Sequence, residues 1–77
     1  REPRLPQKKA VRSLQEQQEL LIASFPDIGL KNARLLLDHF GSVRAVIDAG
    51  QEDLCQVKGI GEKRARQIFE LARRAYR

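Results

Sequence analysis

The residues best suited to chemistry lie in one run near the C-terminal end, Cys55-Gln56-Val57-Lys58-Gly59-Ile60-Gly61-Glu62-Lys63-Arg64-Ala65. Two glycines flank one aliphatic residue, and a basic stretch with helical spacing follows. Glycines let the main chain approach a ligand closely and take backbone angles that other residues avoid. A helix beginning near Gly61 would aim its unpaired N–H groups and the positive end of its dipole at that ligand. Lys63 and Arg64 add charge beside the same spot. The chemistry this predicts is main-chain capture of a phosphate. Glycines serving only a tight interhelical turn are the structural alternative.

Other residues capable of chemistry do not assemble. Cys55 is the single cysteine and His39 the single histidine, so no disulfide within the chain and no Cys/His metal cluster can form. Asp27, Asp38, Asp48, Glu52 and Asp53 lack the pairing that would hold a catalytic metal, and read as caps and solvated faces. His39 reads as a helix-end residue with a capping or partly buried role. No acid, base and nucleophile come together, which argues against a small self-contained enzyme.

Charge points the same way as the glycines. The 77 residues carry a net charge of +5, distributed as +4 in residues 1–12 (five basic, one acidic), −4 in residues 13–57 (three basic, seven acidic) and +5 in residues 58–77 (seven basic, two acidic). A localised basic face is the electrostatic footprint of nucleic-acid binding, although a solvated basic helix end would look the same by charge alone. Hydrophobic content of 42% suits a folded domain. No apolar run approaches the roughly 20 residues of a membrane span, so no membrane partner is expected. The cysteine usage predicts an intracellular, cytoplasmic setting.

The elements that would position the run are helical throughout, which predicts an all-α domain at residues 13–77 behind a basic linker at 1–12. The linker, with Pro3 and Pro6, reads as a tether to an upstream domain. Ser13 with Glu16 has capping-box spacing, and Leu14, Leu20, Leu21 and Phe25 suggest an amphipathic first helix that Pro26 stops. A second helix runs to about His39, with Ala33, Leu36, Leu37 and Phe40 apolar and Gly41 at the C-terminal cap. Ser42 caps a short helix from Val43 to Ala49. Gln51–Gln56 forms a fourth helix with Leu54 and Val57 inward. The last runs from about Gly61 to Tyr76, with Ala65, Ile68, Phe69, Ala72 and Tyr76 as a buried stripe.

An internal repeat organises these pieces. A shift of 32 residues carries Ile22 onto Leu54, Phe25 onto Val57, Ile28 onto Ile60, Gly29 onto Gly61, Lys31 onto Lys63, Ala33 onto Ala65 and Leu36 onto Ile68. Each copy is helix, turn, helix, and Ser42–Ala49 joins them. Neither copy alone could bury its apolar face; together they make one five-helix core.

Both copies resemble the helix-hairpin-helix motif, roughly aliphatic-x-Gly-aliphatic-Gly-x-Lys-x-Ala, with turns at about 25–33 and 57–65. The second matches at every position; the first has Asp27 where the first glycine belongs. Residues 13–77 resemble the tandem helix-hairpin-helix domain that ends archaeal XPF and Hef structure-specific endonucleases. Leu14-Gln15-Glu16-Gln17-Gln18 and Asp38-His39-Phe40-Gly41-Ser42-Val43 carry that choice. The C-terminal domain of the UvrC excision nuclease is similar in the same places. The resemblance implies a non-catalytic module of a repair or recombination nuclease, without a cofactor of its own, any divalent metal belonging to a separate nuclease domain. It also implies duplex, forked or flap DNA as partner, held by phosphates of both strands, and a homodimer, with no small-molecule substrate.

On this reading Gly59, Ile60, Gly61 and Lys63 form the main DNA contact, assisted by Arg64. Gly29, Lys31 and Asn32 occupy the corresponding places in the first turn, which Asp27 should weaken. Phosphate contacts carry no sequence information, so binding is expected to be sequence-independent and salt-dependent. The few aromatic residues suit a small core better than a stacking platform, with Phe69 and Tyr76 as candidates for a dimer interface. A protein-interaction module with vestigial turns is the rival reading.

Overall fold

The structure, a computed structural model, describes residues 13–76; the predicted linker at 1–12 and Arg77 lie outside them. Five helices follow in order: α1 Leu14–Ala23, α2 Gly29–Phe40, α3 Val43–Asp48, α4 Gln51–Cys55 and α5 Glu62–Arg73. Among the described residues there is no strand, as the absence of alternating patterning predicts. None of these helices is long and apolar enough to cross a membrane.

Local signals set most of the boundaries. The Ser13 hydroxyl accepts from the Glu16 N–H at 3.0 Å, while the Glu16 carboxylate accepts from the Ser13 N–H at 3.1 Å, completing a capping box. Gly41 ends α2 in the left-handed conformation, φ 91°, and its N–H donates to the Leu37 carbonyl. The Ser42 hydroxyl then caps α3 by accepting from Ala45 N–H. Helix α1 packs on α2 and α4 on α5, and α3 bridges α2 and α5. These are the two copies and their connector.

The core is the repeat made physical. Its buried residues are Ile22, Ile28, Ala33 and Leu36 from the first copy, Leu54, Val57, Ile60, Ala65 and Ile68 from the second, and Val46 and Ala49 from the connector. Four of the pairs related by the 32-residue shift are buried in both copies: Ile22 with Leu54, Ile28 with Ile60, Ala33 with Ala65, and Leu36 with Ile68. In the fifth, Val57 is buried while its equivalent Phe25 only packs against the cluster.

Two apolar readings need correction. Leu14, Leu20 and Leu21 do not form the inner stripe of α1; they are 71%, 40% and 55% exposed, and Ile22 alone is buried there. At about 100° per residue, Leu21 and Leu20 lie roughly 100° and 200° around the helix from Ile22, so one inward isoleucine turns them out. Tyr76 is not the end of a buried stripe. Helix α5 stops at Arg73, Arg74 is extended (ψ 136°), and Tyr76 is 98% exposed. Arg73 closes the last turn instead. It donates through Nη2 to the carbonyl of Asp48 at 2.9 Å, and its guanidinium lies 4.2 Å from the centre of the Phe69 ring.

Candidate nucleic-acid interface

Each copy builds its turn with the same hydrogen bonds. Phe25 N–H donates to Ile22 and Ile28 N–H to Phe25; in the second copy Val57 N–H donates to Leu54 and Ile60 N–H to Val57. The chain reverses in both through a left-handed residue at the same repeat position. In the second copy this is Gly59, φ 90°; in the first it is Asp27, φ 64°, the one non-glycine residue with positive φ among those described. Asp tolerates that region better than most residues because its short side chain can bond locally. The repeat position, rather than the residue type, therefore dictates the turn.

The two glycines of the second turn have different reasons to be glycine. Gly59 needs it internally: φ is positive, and a Cβ there would lie 3.1 Å from Oδ1 of Asn32. Gly61 does not. Its φ of −82° suits any residue, and a Cβ would meet nothing within 4 Å. What glycine provides at Gly61 is an uncovered backbone, the condition for close approach from outside. Gly29, the counterpart in the first copy, has φ 68° and takes a different path.

The donors at this surface are main-chain groups. The N–H groups of Gly61, Glu62 and Lys63, and of their equivalents Gly29, Leu30 and Lys31, have no acceptor among the described residues. Neither α2 nor α5 has a side-chain cap, whereas serines cap α1 and α3. Ile60 departs from the expectation that it would touch a ligand. Its side chain is 3% exposed, and its N–H is committed to Val57 at 3.0 Å. Ile60 anchors the turn in the core, and Ile28 does the same in the first copy.

Apart from Arg64 and Arg73, which bind main-chain carbonyls, the basic side chains of the described residues divide into two groups. Arg34 pairs with Glu19 at 3.2 Å, Arg44 with Asp48 at 3.7 Å and Arg74 with Glu70 at 4.0 Å. Lys31, Lys58, Lys63 and Arg66 are exposed, with no carboxylate partner among the described residues. Three of these four belong to the second copy. The repeat accounts for Arg66: its equivalent Arg34 is neutralised by Glu19, but the second copy has Gln51 in place of that glutamate. Lys58 and Arg66 are not among the residues to which the motif points. The pairing of Arg34 and the absence of a glutamate at Gln51 are the signals that find Arg66; no such signal finds Lys58.

Arg64 and Asn32 are equivalent positions, and both point across the repeat. Arg64 donates from Nε to the carbonyl of Asp27 at 2.9 Å and from Nη1 to that of Gly59 at 3.5 Å. Asn32 in turn sits against Gly59. Each copy therefore touches the other copy's left-handed residue. Phe69 is partly buried against the core beneath Arg73, so it is not an open interface residue. A shallow groove on another face of α5 is lined by Pro26, Gln67, Glu70, Leu71 and Arg74; Leu71 is 57% exposed. His39 is exposed at the end of α2, its ring edge-on to Phe40. Among the described residues no cluster could hold a metal ion.

This geometry agrees with what known proteins share with the chain. The model of the SAM-like helix-hairpin-helix tandem matches residues 18–74. A putative ATP-dependent RNA helicase of Methanocaldococcus jannaschii is 41% identical over 68 residues, covering 88% of this chain and 9% of the relative. The UvrABC system protein C of Desulfatibacillum aliphaticivorans is 49% identical over 47 residues, 61% of this chain and 8% of that protein. The chain thus spans less than a tenth of those relatives. XPF from Aeropyrum pernix superposes with a TM-score of 0.82 at 31% identity, over all of this chain and 36% of that one. The same protein solved in complex with DNA gives 0.80 at 35% identity, over 86% and 33%.

Proposed function

This chain belongs to the SAM-like tandem helix-hairpin-helix family, and from that premise we propose that it binds duplex DNA through backbone phosphates without reading sequence. The observation that carries this is Gly61. It is an exposed glycine with no internal need to be one, followed by open N–H groups and flanked by unpaired Lys63 and Lys58. A phosphate oxygen fits such a donor cluster, because main-chain dipoles and fixed positive charge favour an anion there. The solved relative bound to DNA supports the same reading. N–H donors aimed at phosphates contact no base edge, so the preference is for DNA shape.

The second turn dominates. Among the described residues, its copy carries three exposed basic side chains without an ion pair, Lys58, Lys63 and Arg66, whereas the first turn carries the Asp27 carboxylate and a displaced Gly29. The chain serves as a non-catalytic module that seats a structure-specific nuclease on forked, flap or plain duplex DNA. Titration of those three substrates at two salt concentrations tests this, alongside Gly61→Ala. Binding that is absent at low salt, or cleavage by the purified chain with added divalent metal, would overturn it.

We further propose that a second copy of the chain covers the groove at Leu71. The groove is apolar apart from its rim, and the buried Gln67 Oε1 lacks a donor among the described residues. A partner would cover the leucine. On this proposal the dimer surface centres on Leu71 and Pro26, where the sequence suggested Phe69 and Tyr76.

A further inference from the structure

Arg64 stands apart from the other basic residues of the second copy. Two of its guanidinium N–H groups donate to main-chain carbonyls, those of Asp27 and Gly59. These are the two left-handed residues on which the turns reverse, and they are repeat equivalents. One planar fork therefore spans both turns at their matching points. The first acceptor is 37 residues away in sequence and the second only five, so the side chain joins the copies rather than bracing its own helix. Asn32 fills the reciprocal position against Gly59 from the other side.

We infer that Arg64 is a positioning residue that fixes the separation of the two turns, and through it the distance between the phosphates the domain can hold at once. This inference rests on the DNA-binding reading above and reassigns a residue whose sequence position suggests a direct phosphate contact. Two linked sites bind better than either alone only when their spacing matches the target. A duplex presents phosphates of two strands at a set distance, and a flexible single strand does not. A clamp that holds the turns together thus favours the duplex without touching it. Lysine keeps the charge at this position but presents one compact donor group instead of the planar fork, so it cannot reproduce both carbonyl bonds.

The test compares Arg64→Lys and Arg64→Ala with Lys63→Ala, each first shown by a cooperative thermal transition to remain folded. Affinity is measured for a duplex and for a single strand of the same length, and amide resonances are recorded without DNA. Arg64→Lys is expected to lower the duplex-over-single-strand preference about fivefold, the equivalent of one net hydrogen bond. Lys63→Ala should weaken binding to both alike and leave that ratio unchanged. In the free protein, Arg64→Lys should shift the amides of Asp27, Ile28 and Gly29, which a phosphate-contacting side chain would not do. A lysine variant that keeps both the ratio and the first-turn amides of the parent would overturn the inference. Failure of the unaltered protein to bind duplex would instead remove the DNA-binding reading, and the amide shifts would still decide whether the clamp exists.

Discussion

Arg64 Nε donates to the carbonyl oxygen of Asp27 at 2.9 Å, while the Asp27 carboxylate makes no ion pair with it. The side chain that would neutralise Asp27 is bound to its main chain instead. The carboxylate remains as uncompensated negative charge on the first turn, and several measurable consequences come from this arrangement.

Replacing Asp27 should strengthen DNA binding. Asp27→Asn keeps the left-handed turn and removes the charge, and one unit charge several ångströms from a phosphate in water corresponds to roughly threefold in affinity. The gain should shrink as salt is raised. Asp27→Gly should match it, with stability altered by no more than about 1 kcal/mol, because relief of backbone strain is offset by greater freedom of the unfolded chain. Fluorescence anisotropy at two ionic strengths checks both variants; equal affinity throughout would mean the first turn stays away from phosphate.

The two glycines of the second turn should separate folding from binding. Gly61→Ala is expected to leave the thermal midpoint within a few degrees and to weaken duplex binding about tenfold, since a methyl group covers the open donors. Gly59→Ala should lower stability by about 1–2 kcal/mol, because φ of 90° is strained for alanine and Asn32 is in the way. Thermal melts followed by duplex titration distinguish them. A Gly61→Ala protein that binds normally would refute the open-backbone explanation.

Salt dependence should rank the lysines. Removing one phosphate-neutralising side chain reduces the slope of log K against log salt by about 0.9 for duplex DNA. Lys63→Ala is expected to show that reduction in full, and Lys31→Ala less of it, since the first turn carries Asp27. Slopes measured between low and moderate salt settle the order.

Core substitutions should behave as pairs. Leu36 and Ile68 are repeat equivalents, 0% and 1% exposed. Truncating either to alanine should cost about 2–4 kcal/mol in urea unfolding. For a domain this small, that is a large share of its total stability. A large inequality between the two would show that the copies contribute differently to the core.

Leu71→Glu should abolish self-association without weakening the fold, since the side chain is 57% exposed. Light scattering across a concentration series reads the mass directly. A mass equal to one chain for the unaltered protein at all concentrations would remove the dimer proposal.

Much of this molecule is readable from residue types at a fixed offset. The 32-residue shift finds the core pairs because each copy must bury the same face, so packing and repetition impose one pattern. Capping by Ser13, Gly41 and Ser42 is local chemistry and follows from the sequence directly. Tertiary direction is not local. Gly59 and Gly61 look alike as letters, yet one is demanded by a turn and by a neighbour 27 residues earlier, and the other by nothing inside the protein. Arg64 reads as one more cation until its carbonyl partners are seen. Leu20 and Leu21 read as core because three apolar side chains in succession cannot reveal that only Ile22 faces inward.

A core divided between two equivalent copies carries no mark of which chain supplied each half. The first copy of one molecule presents its partner with nearly the same surface that the second copy of another would meet. What keeps the pairing internal is the connector, short and pinned by Val46 at 0% exposure. It holds the second copy at an effective concentration that a separate molecule cannot match. Shortening it until the two copies could no longer meet within one chain would convert the monomer fold into one exchanged between chains, with the same helices, the same core and a different molecularity.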